Sequence, residues 1–257
     1  MARVLITEEL AQTGIELLRS KGHDVQISLG LSPDDLLAEI ADADALIVRS
    51  ATEVDKRLLD EANQLQVIGR AGVGLDNVDI ATATSRGILV CNAPESNVVS
   101  AAEHSVALLL ALARNVAQAH SALTEGRWER SFWTGVELLN KTVGIVGLGR
   151  VGRLVAQRLK GFDVRILAFD PFVSSESARA VNAEMVELND LLGQSDFVTV
   201  HLPRTPETVG LFDSERFTKF KPGARLINAA RGGVVIEDDL LKALESGQLG
   251  GAALDVF

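Results

Sequence analysis

Residues 142–152 read Thr142-Val143-Gly144-Ile145-Val146-Gly147-Leu148-Gly149-Arg150-Val151-Gly152. The first five form a short, uncharged, β-branched run. The last six match the pattern G-x-G-x-x-G, which is weak evidence alone. Context strengthens it. Val151, Val155, Leu159 and Phe162 share one stripe of a helix expected over Arg153–Phe162. Asp170 ends the next strand, 18 residues after Gly152. In such a unit Gly147 makes the tight turn, Gly149 lets the backbone approach a pyrophosphate, and Gly152 allows close helix–strand contact. The helix start offers unpaired N–H groups, with Arg150 and Val151 beside it, and a positive dipole end to phosphates. The Asp170 carboxylate can accept bonds from ribose hydroxyls and repels a 2′-phosphate, so the expected cofactor is NAD rather than NADP. A plain glycine turn with an aspartate capping the loop at Pro171 would explain the pieces separately, but not the whole strand–turn–helix–strand–acid unit.

Outward from this stretch, strands and helices alternate on both sides. Before it, strands are expected at Val4–Thr7, Asp24–Ser28, Ala45–Val48, Leu65–Gly69 and Ile88–Val90, and helices at Glu8–Ser20, Pro33–Ala41, Asp55–Glu61 and Val78–Ser85. Ser32 before Pro33 reads as an N-cap followed by a proline at the first helical position. After it, strands are expected at Val164–Phe169, Phe197–His201, Arg225–Asn228 and Ala252–Val256, with helices at Glu187–Leu192, Ser214–Phe220 and Asp238–Ser246. Short apolar strands alternating with helices imply parallel sheets covered on both faces. The expected fold is α/β, with two doubly wound parallel-sheet domains. The polar stretch Asn92-Ala93-Pro94-Glu95-Ser96-Asn97 marks the boundary, giving domains 1–95 and 96–257. Between this boundary and the glycine loop, one long helix is expected over about 98–124. It is too apolar for a solvated surface, so it is buried between domains, lies at a subunit interface, or both.

Composition excludes several classes. The chain has 257 residues, with 25 basic against 35 acidic, for a net charge of −10. Such a surface repels nucleic-acid backbones and anionic lipid head groups. The single cysteine, Cys91, rules out an internal disulfide and a multi-cysteine metal site, and fits a reducing cytoplasm. The apolar run Val106–Ala113 is too short to span a bilayer. The expected partner is a small molecule, with no metal, nucleic acid or membrane.

Three arginines directly follow expected strands: Arg49, Arg70 and Arg231, the last two beside glycines. Parallel sheets bind ligands beyond the carboxyl ends of their strands, and guanidinium grips carboxylate and phosphate bidentately. A single such arginine reads equally as a solvated loop residue. Three suggest a substrate with more than one anionic group, held in a cleft between the two units. A nicotinamide-dependent enzyme acting on an alcohol would also need a proton acceptor, for which histidine is suited. His23 sits in a turn, while His104 and His120 lie in the apolar helix and read as structural. His201 ends a strand and can line a cofactor cleft, though a catalytic role is the lesser reading.

Gly147–Gly152, Asp170, His201-Leu202-Pro203, Asn228–Gly233 and Ala253-Leu254-Asp255-Val256-Phe257 together resemble the D-2-hydroxyacid dehydrogenase family in order and spacing. Val48–Thr52 and Gly69–Asp79 are similar to its members that act on 3-phosphoglycerate. The resemblance implies a flavodoxin-like substrate domain (the lid) and a Rossmann NAD-binding domain. It also implies NAD-dependent oxidation of 3-phosphoglycerate to 3-phosphohydroxypyruvate, the first step of serine biosynthesis. Arg231 matches the family's catalytic arginine, and Arg49 and Arg70 match substrate-anion positions. Gly147, Gly149, Arg150, Val151, Gly152, Asp170, Ala229, Ala230 and Asp255 match cofactor contacts, and Arg130 a position reaching a neighbouring subunit. A homodimer or homotetramer formed through the long helix and the segment after it is implied. The family's acid/base glutamate and histidine would fall beyond Phe257. The chain by itself is therefore expected to bind NAD weakly and not to turn over. Rival readings are a dehydrogenase for another small D-2-hydroxyacid and an NAD-sensing binding module.

Overall fold

The structure, a computed structural model, describes residues 1–257. The chain divides into two compact units, Met1–Asn97 and Val98–Phe257.

In the first unit five strands alternate with four helices: β1 (Arg3–Ile6), α1 (Gln12–Ser20), β2 (Asp24–Ile27), α2 (Pro33–Ile40), β3 (Ala45–Val48), α3 (Lys56–Glu61), β4 (Val67–Arg70), α4 (Ile80–Ser85) and β5 (Leu89–Asn92). The strands are parallel, in the order β2-β1-β3-β4-β5. This is the flavodoxin-like arrangement. Leu5, Leu46 and Ile68 from the three central strands are fully buried. Helix starts follow local chemistry. The Ser32 hydroxyl accepts from the Asp35 N–H with Pro33 behind it, as the sequence predicts, and the Asp55 and Asp79 carboxylates cap α3 and α4. The first helix departs from expectation. It begins at Gln12 rather than Glu8, which leaves Glu8 in the loop after β1.

The second unit opens with α5 (Val98–Ala113) and α6 (Val116–Thr124), where one continuous helix was expected. The two are bent by 62°. The cause is local. Asn115 takes φ 52°, a left-handed conformation that asparagine tolerates better than most residues. The segment that follows α6 returns to take over the end of α5. Val136 N–H donates to the Ala113 carbonyl at 2.8 Å, an acceptor that a continuing helix would have used. A Cβ at Gly135 would lie 2.3 Å from that oxygen, so glycine permits the approach. Ala102, Leu109 and Ala113 of α5 are fully buried in the core of this second unit. No single helix is long and apolar enough to cross a membrane.

The remaining elements are β6 (Thr142–Val146), α7 (Arg150–Leu159), β7 (Arg165–Phe169), α8 (Ser175–Arg179), β8 (Ala183–Met185), α9 (Leu188–Gln194), β9 (Phe197–Val200), α10 (Ser214–Phe217), β10 (Ala224–Asn228), α11 (Glu237–Glu245) and β11 (Leu249–Leu254). The parallel sheet runs β11-β10-β9-β6-β7-β8. Counted from β6, this is the Rossmann order 3-2-1-4-5-6, with the strand order reversing between β6 and β9. Three expectations shift here. Helix α7 starts at Arg150, three residues before the expected Arg153. Strand β11 lies earlier than the expected Ala252–Val256. The pair α8 and β8 was not foreseen.

Candidate functional site

The ends of five strands in the second sheet hold most of the residues singled out by sequence. Gly147–Gly149 follow β6, Asp170 follows β7, His201 follows β9, Ala229–Arg231 follow β10, and Asp255 follows β11. All five strands are parallel, so these loops share one edge of the sheet, the side on which open α/β sheets bind ligands.

The three glycines stand in three different surroundings. Gly147 has φ +96°, and a Cβ there would lie 2.7 Å from the His201 carbonyl oxygen. A Cβ at Gly152 would lie 2.1 Å from the Gly147 oxygen, so any side chain would lever α7 off the turn. Gly149 has no neighbour within 4 Å of its Cβ position, and its φ of −71° suits any residue. Nothing in the protein demands glycine there, whereas a ligand lying on the backbone would. Gly149 is also the N-cap of α7 and offers no side-chain cap. The earlier start of α7 puts Arg150, Val151 and Gly152 in its first turn, whose N–H groups have no intrahelical acceptor.

Asp170 joins this loop to the neighbouring strand. Its Oδ2 accepts from Leu148 N–H at 2.8 Å and its Oδ1 from Phe172 N–H at 2.9 Å. Each oxygen keeps a further lone pair. A cavity of about 870 Å³ opens here, lined by Gly147, Gly149, Asp170, His201, Leu202 and Pro203 among others. Its size suits one part of a nucleotide-sized ligand. The bare helix start, the clear space at Gly149 and the carboxylate beside the cavity all fit a dinucleotide.

On the far side of β9, Asn228 organises the arginine loop. It is fully buried. Its Nδ2 donates to the Arg231 carbonyl at 3.0 Å, and its Oδ1 accepts from Ala230 N–H at 3.1 Å. Its own carbonyl accepts from Asp255 N–H at 3.0 Å. One side chain and one peptide thus tie the ends of β10 and β11 together. The Arg231 guanidinium folds back to donate to the Ala230 carbonyl at 2.7 Å. The Asp255 carboxylate meets His104 Nε2 at 3.1 Å. The histidine read as structural in α5 is therefore the partner of a residue matched to the cofactor site.

His201 is half-buried, with Nε2 3.0 Å from the Thr199 hydroxyl. Burial pushes its pKa down from 6.5 to about 4. The sign follows directly. Above about 6.5 the ring is neutral in both folded and unfolded chains, whereas between 6.5 and 4 the unfolded chain alone takes the proton. Stability therefore falls as pH drops through this window, by about 1–3 kcal/mol from this group after allowance for its partial exposure. Urea unfolding between pH 7 and 4.5 is expected to show a smaller acid loss, by that amount, in His201→Gln. Parallel profiles for parent and variant would refute it. A ring whose pKa lies near 4 is a weak proton acceptor at neutral pH.

In the first unit, Arg49 and Arg70 stand at the ends of neighbouring strands. Val48 pairs with Arg70 across β3 and β4, so Arg49 lies one residue beyond that pair. Arg49 is exposed, while the half-buried Arg70 guanidinium folds over Gly72, where a Cβ would lie 1.6 Å from its Nη1. Sequence reading missed Glu8 and Asn77, which hold the Arg49 loop. The four N–H groups of Arg49, Ser50, Ala51 and Thr52 donate to the Glu8 carboxylate at 2.7–3.2 Å. Asn77 Nδ2 donates to the carbonyls of Arg49 and Thr52 at 2.9 and 2.6 Å. Burial of Glu8 raises its pKa, but the bonds from Ala51, Arg49 and Thr52 outweigh this and leave it lowered. These contacts join residues more than 20 positions apart, so no local pattern announces them.

Comparison with known proteins follows the same lines. Residues 106–257 match the pattern of the family described as D-isomer specific 2-hydroxyacid dehydrogenase, NAD binding domain. The chain is 49% identical over 256 residues to D-3-phosphoglycerate dehydrogenase 2, chloroplastic, of Arabidopsis thaliana, covering 99% of this chain and 41% of that protein. It is 50% identical to D-3-phosphoglycerate dehydrogenase of Mycobacterium bovis, covering 99% of this chain and 48% of that one. The chain thus spans about half the length of the curated relatives it matches. Among solved structures, an NAD-dependent formate dehydrogenase from Staphylococcus aureus in complex with NAD superimposes with a TM-score of 0.90 at 35% identity, covering 100% of this chain and 82% of that one.

Proposed function

Because this chain belongs to the D-isomer specific 2-hydroxyacid dehydrogenase family and its residues 106–257 are the family's NAD-binding domain, we propose that the protein oxidises 3-phosphoglycerate to 3-phosphohydroxypyruvate. This would be the first step of serine biosynthesis. The likeness to D-3-phosphoglycerate dehydrogenases supports the substrate. The fold does not decide it, since solved neighbours include a formate dehydrogenase and a D-lactate dehydrogenase. The observation that carries the reading is the placement of Arg49 and Arg70 at the ends of adjacent strands. Two guanidinium groups there suit a dianionic phosphate, which lactate or glycerate lacks.

In this proposal NAD, when bound, would accept the hydride released at C2, while the hydroxyl proton would pass to a general base outside the residues named here. The chain's own residues bind and orient. Gly147, Gly149 and the first turn of α7 (Arg150, Val151 and Gly152) hold the pyrophosphate, Asp170 the ribose hydroxyls, and Ala229, Ala230 and Asp255 the nicotinamide end. Arg231 grips the substrate carboxylate and draws electron density from the C2 oxygen. Arg49 and Arg70 receive the phosphate. A role as an NAD-sensing module would leave this anion-binding equipment without a task.

The test is differential. Arg49→Ala and Arg70→Ala are each expected to weaken 3-phosphoglycerate by about 10- to 100-fold, the worth of charge-assisted bonds of 1.5–3 kcal/mol. D-glycerate should change by less than about threefold on the same energy scale. Calorimetric titration of each ligand onto the NADH-loaded protein measures both, and equal losses would favour an unphosphorylated 2-hydroxyacid.

The proposed assembly is a homodimer or homotetramer. Val116 and Leu123 of α6, with Trp128 and Phe132 of the segment after it, are large apolar side chains left exposed. Such a surface supports association through α5, α6 and the following segment.

A further inference from the structure

The loop at 49–52 is an unusual piece of backbone. Four consecutive N–H groups converge on one point, which makes the kind of concavity that binds anions elsewhere. Here the anion is internal. Strands β1 and β3 are neighbours, with Ile6 paired to Ile47. Glu8, two residues past β1, therefore reaches the residues just past β3. Its two oxygens take all four N–H groups. From the other side Asn77 takes the carbonyls of Arg49 and Thr52, and the Thr7 and Thr52 hydroxyls meet at 2.8 Å. The loop is held at both its donors and its acceptors, yet the Arg49 side chain it carries is exposed, at the rim of a hollow of about 620 Å³.

We infer that Glu8 is a positioning residue: an internal carboxylate that fixes the 49–52 loop, so that Arg49 meets the anionic group of the substrate from a set backbone. With the converging N–H groups satisfied by Glu8, an incoming anion finds the guanidinium rather than the backbone. The side chain thus gives geometry to the loop and selectivity to its arginine. The lowered pKa of Glu8 accords with a carboxylate that stays charged in this role. The inference rests on the proposed role of Arg49 in binding the phosphate.

The experiment follows amide hydrogen exchange at residues 49–52 together with calorimetric affinities for 3-phosphoglycerate and NADH. Glu8→Gly is expected to speed exchange of these four amides and to weaken 3-phosphoglycerate, each by about tenfold or more, with NADH affinity unchanged. Sodium acetate, supplying the missing carboxylate, should restore both in Glu8→Gly and do nothing to the parent. A merely structural loss would not be rescued in this way. If Glu8→Gly fails to fold, Glu8→Gln takes its place; it keeps one carbonyl acceptor and loses the charge, and an intermediate rise in exchange with a matching loss of affinity is expected. Unchanged exchange in the variant overturns the inference. So does faster exchange with undiminished 3-phosphoglycerate affinity, when Arg49→Ala weakens that ligand. If Arg49→Ala itself has no effect, the phosphate reading fails, and the inference with it.

Discussion

Gly149→Val is expected to leave the fold standing while weakening NAD by about 100-fold or more, roughly 2.7 kcal/mol of binding energy. The φ of −71° at 149 is not special to glycine, and an added Cβ meets no protein atom within 4 Å. The stability cost is that of a poorer N-cap, about 0.5–1 kcal/mol. The affinity cost arises because a pyrophosphate must approach within contact distance of that same backbone. Gly152→Val is the control with opposite character. Its Cβ would lie 2.1 Å from the Gly147 oxygen, so the turn and α7 must separate. Overpacking of this kind costs about 3 kcal/mol or more when the obstacle is backbone, and stability should fall along with affinity. Thermal unfolding and NAD titration of the two variants separate the effects. If Gly149→Val binds NAD as the parent does, the glycine loop is not the pyrophosphate site.

In a protein that joins this chain to an acid/base pair and turns over, Arg231→Lys is expected to lower kcat/KM for 3-phosphoglycerate by about 10²–10³-fold, the usual cost of removing an aligned donor from a reacting oxygen. Charge is kept in this variant; the planar fork is lost. The Arg231 guanidinium already leans on the Ala230 carbonyl at 2.7 Å, and the backbone beneath it is fixed by Asn228. A lysine ammonium is a point charge and cannot hold that carbonyl and both oxygens of a carboxylate in one plane. NAD affinity should stay within about twofold, because the lost interaction belongs to the substrate and its transition state. Steady-state kinetics with an independent NAD titration gives both numbers. A kcat/KM within about threefold of the parent would remove Arg231 from the catalytic role.

What the sequence revealed depended on whether a feature was local. Ala45–Val48 and Thr142–Val146 were found to the residue, because each is a short apolar run bounded by polar or glycine-rich turns. The parallel α/β class followed from their alternation with helices. Strand β11 begins at Leu249, three residues before the expected start, and takes in Gly250 and Gly251, a residue type that weakens a strand pattern. In the fold they are strand residues, and a Cβ at 250 would lie 2.5 Å from the Gly223 oxygen. The break at Asn115 was hidden because neither glycine nor proline interrupts the apolar pattern, and its cause, the return of Val136, lies more than 20 residues on. β8 has three residues and depends on pairing with β7, so no periodicity could show it. The same distinction applies to the candidate site. Glycines, aspartate and arginines were visible as motif letters. The roles of Glu8, Asn77 and Asn228 and the His104–Asp255 contact were not, because each depends on how the backbone folds around the side chain.

Asp170 has a consequence beyond its proposed hold on a ribose. Its two bonds, to Leu148 and Phe172 N–H, are internal to the chain and form as it folds. Fixing the backbone of a loop residue costs about 1–2 kcal/mol in conformational entropy. With the glycine loop already pinned to the end of β7, that cost is met by folding and not by association. The dinucleotide would thus encounter a loop of settled shape, and the entropy that flexible glycines would otherwise surrender is no longer deducted from its affinity.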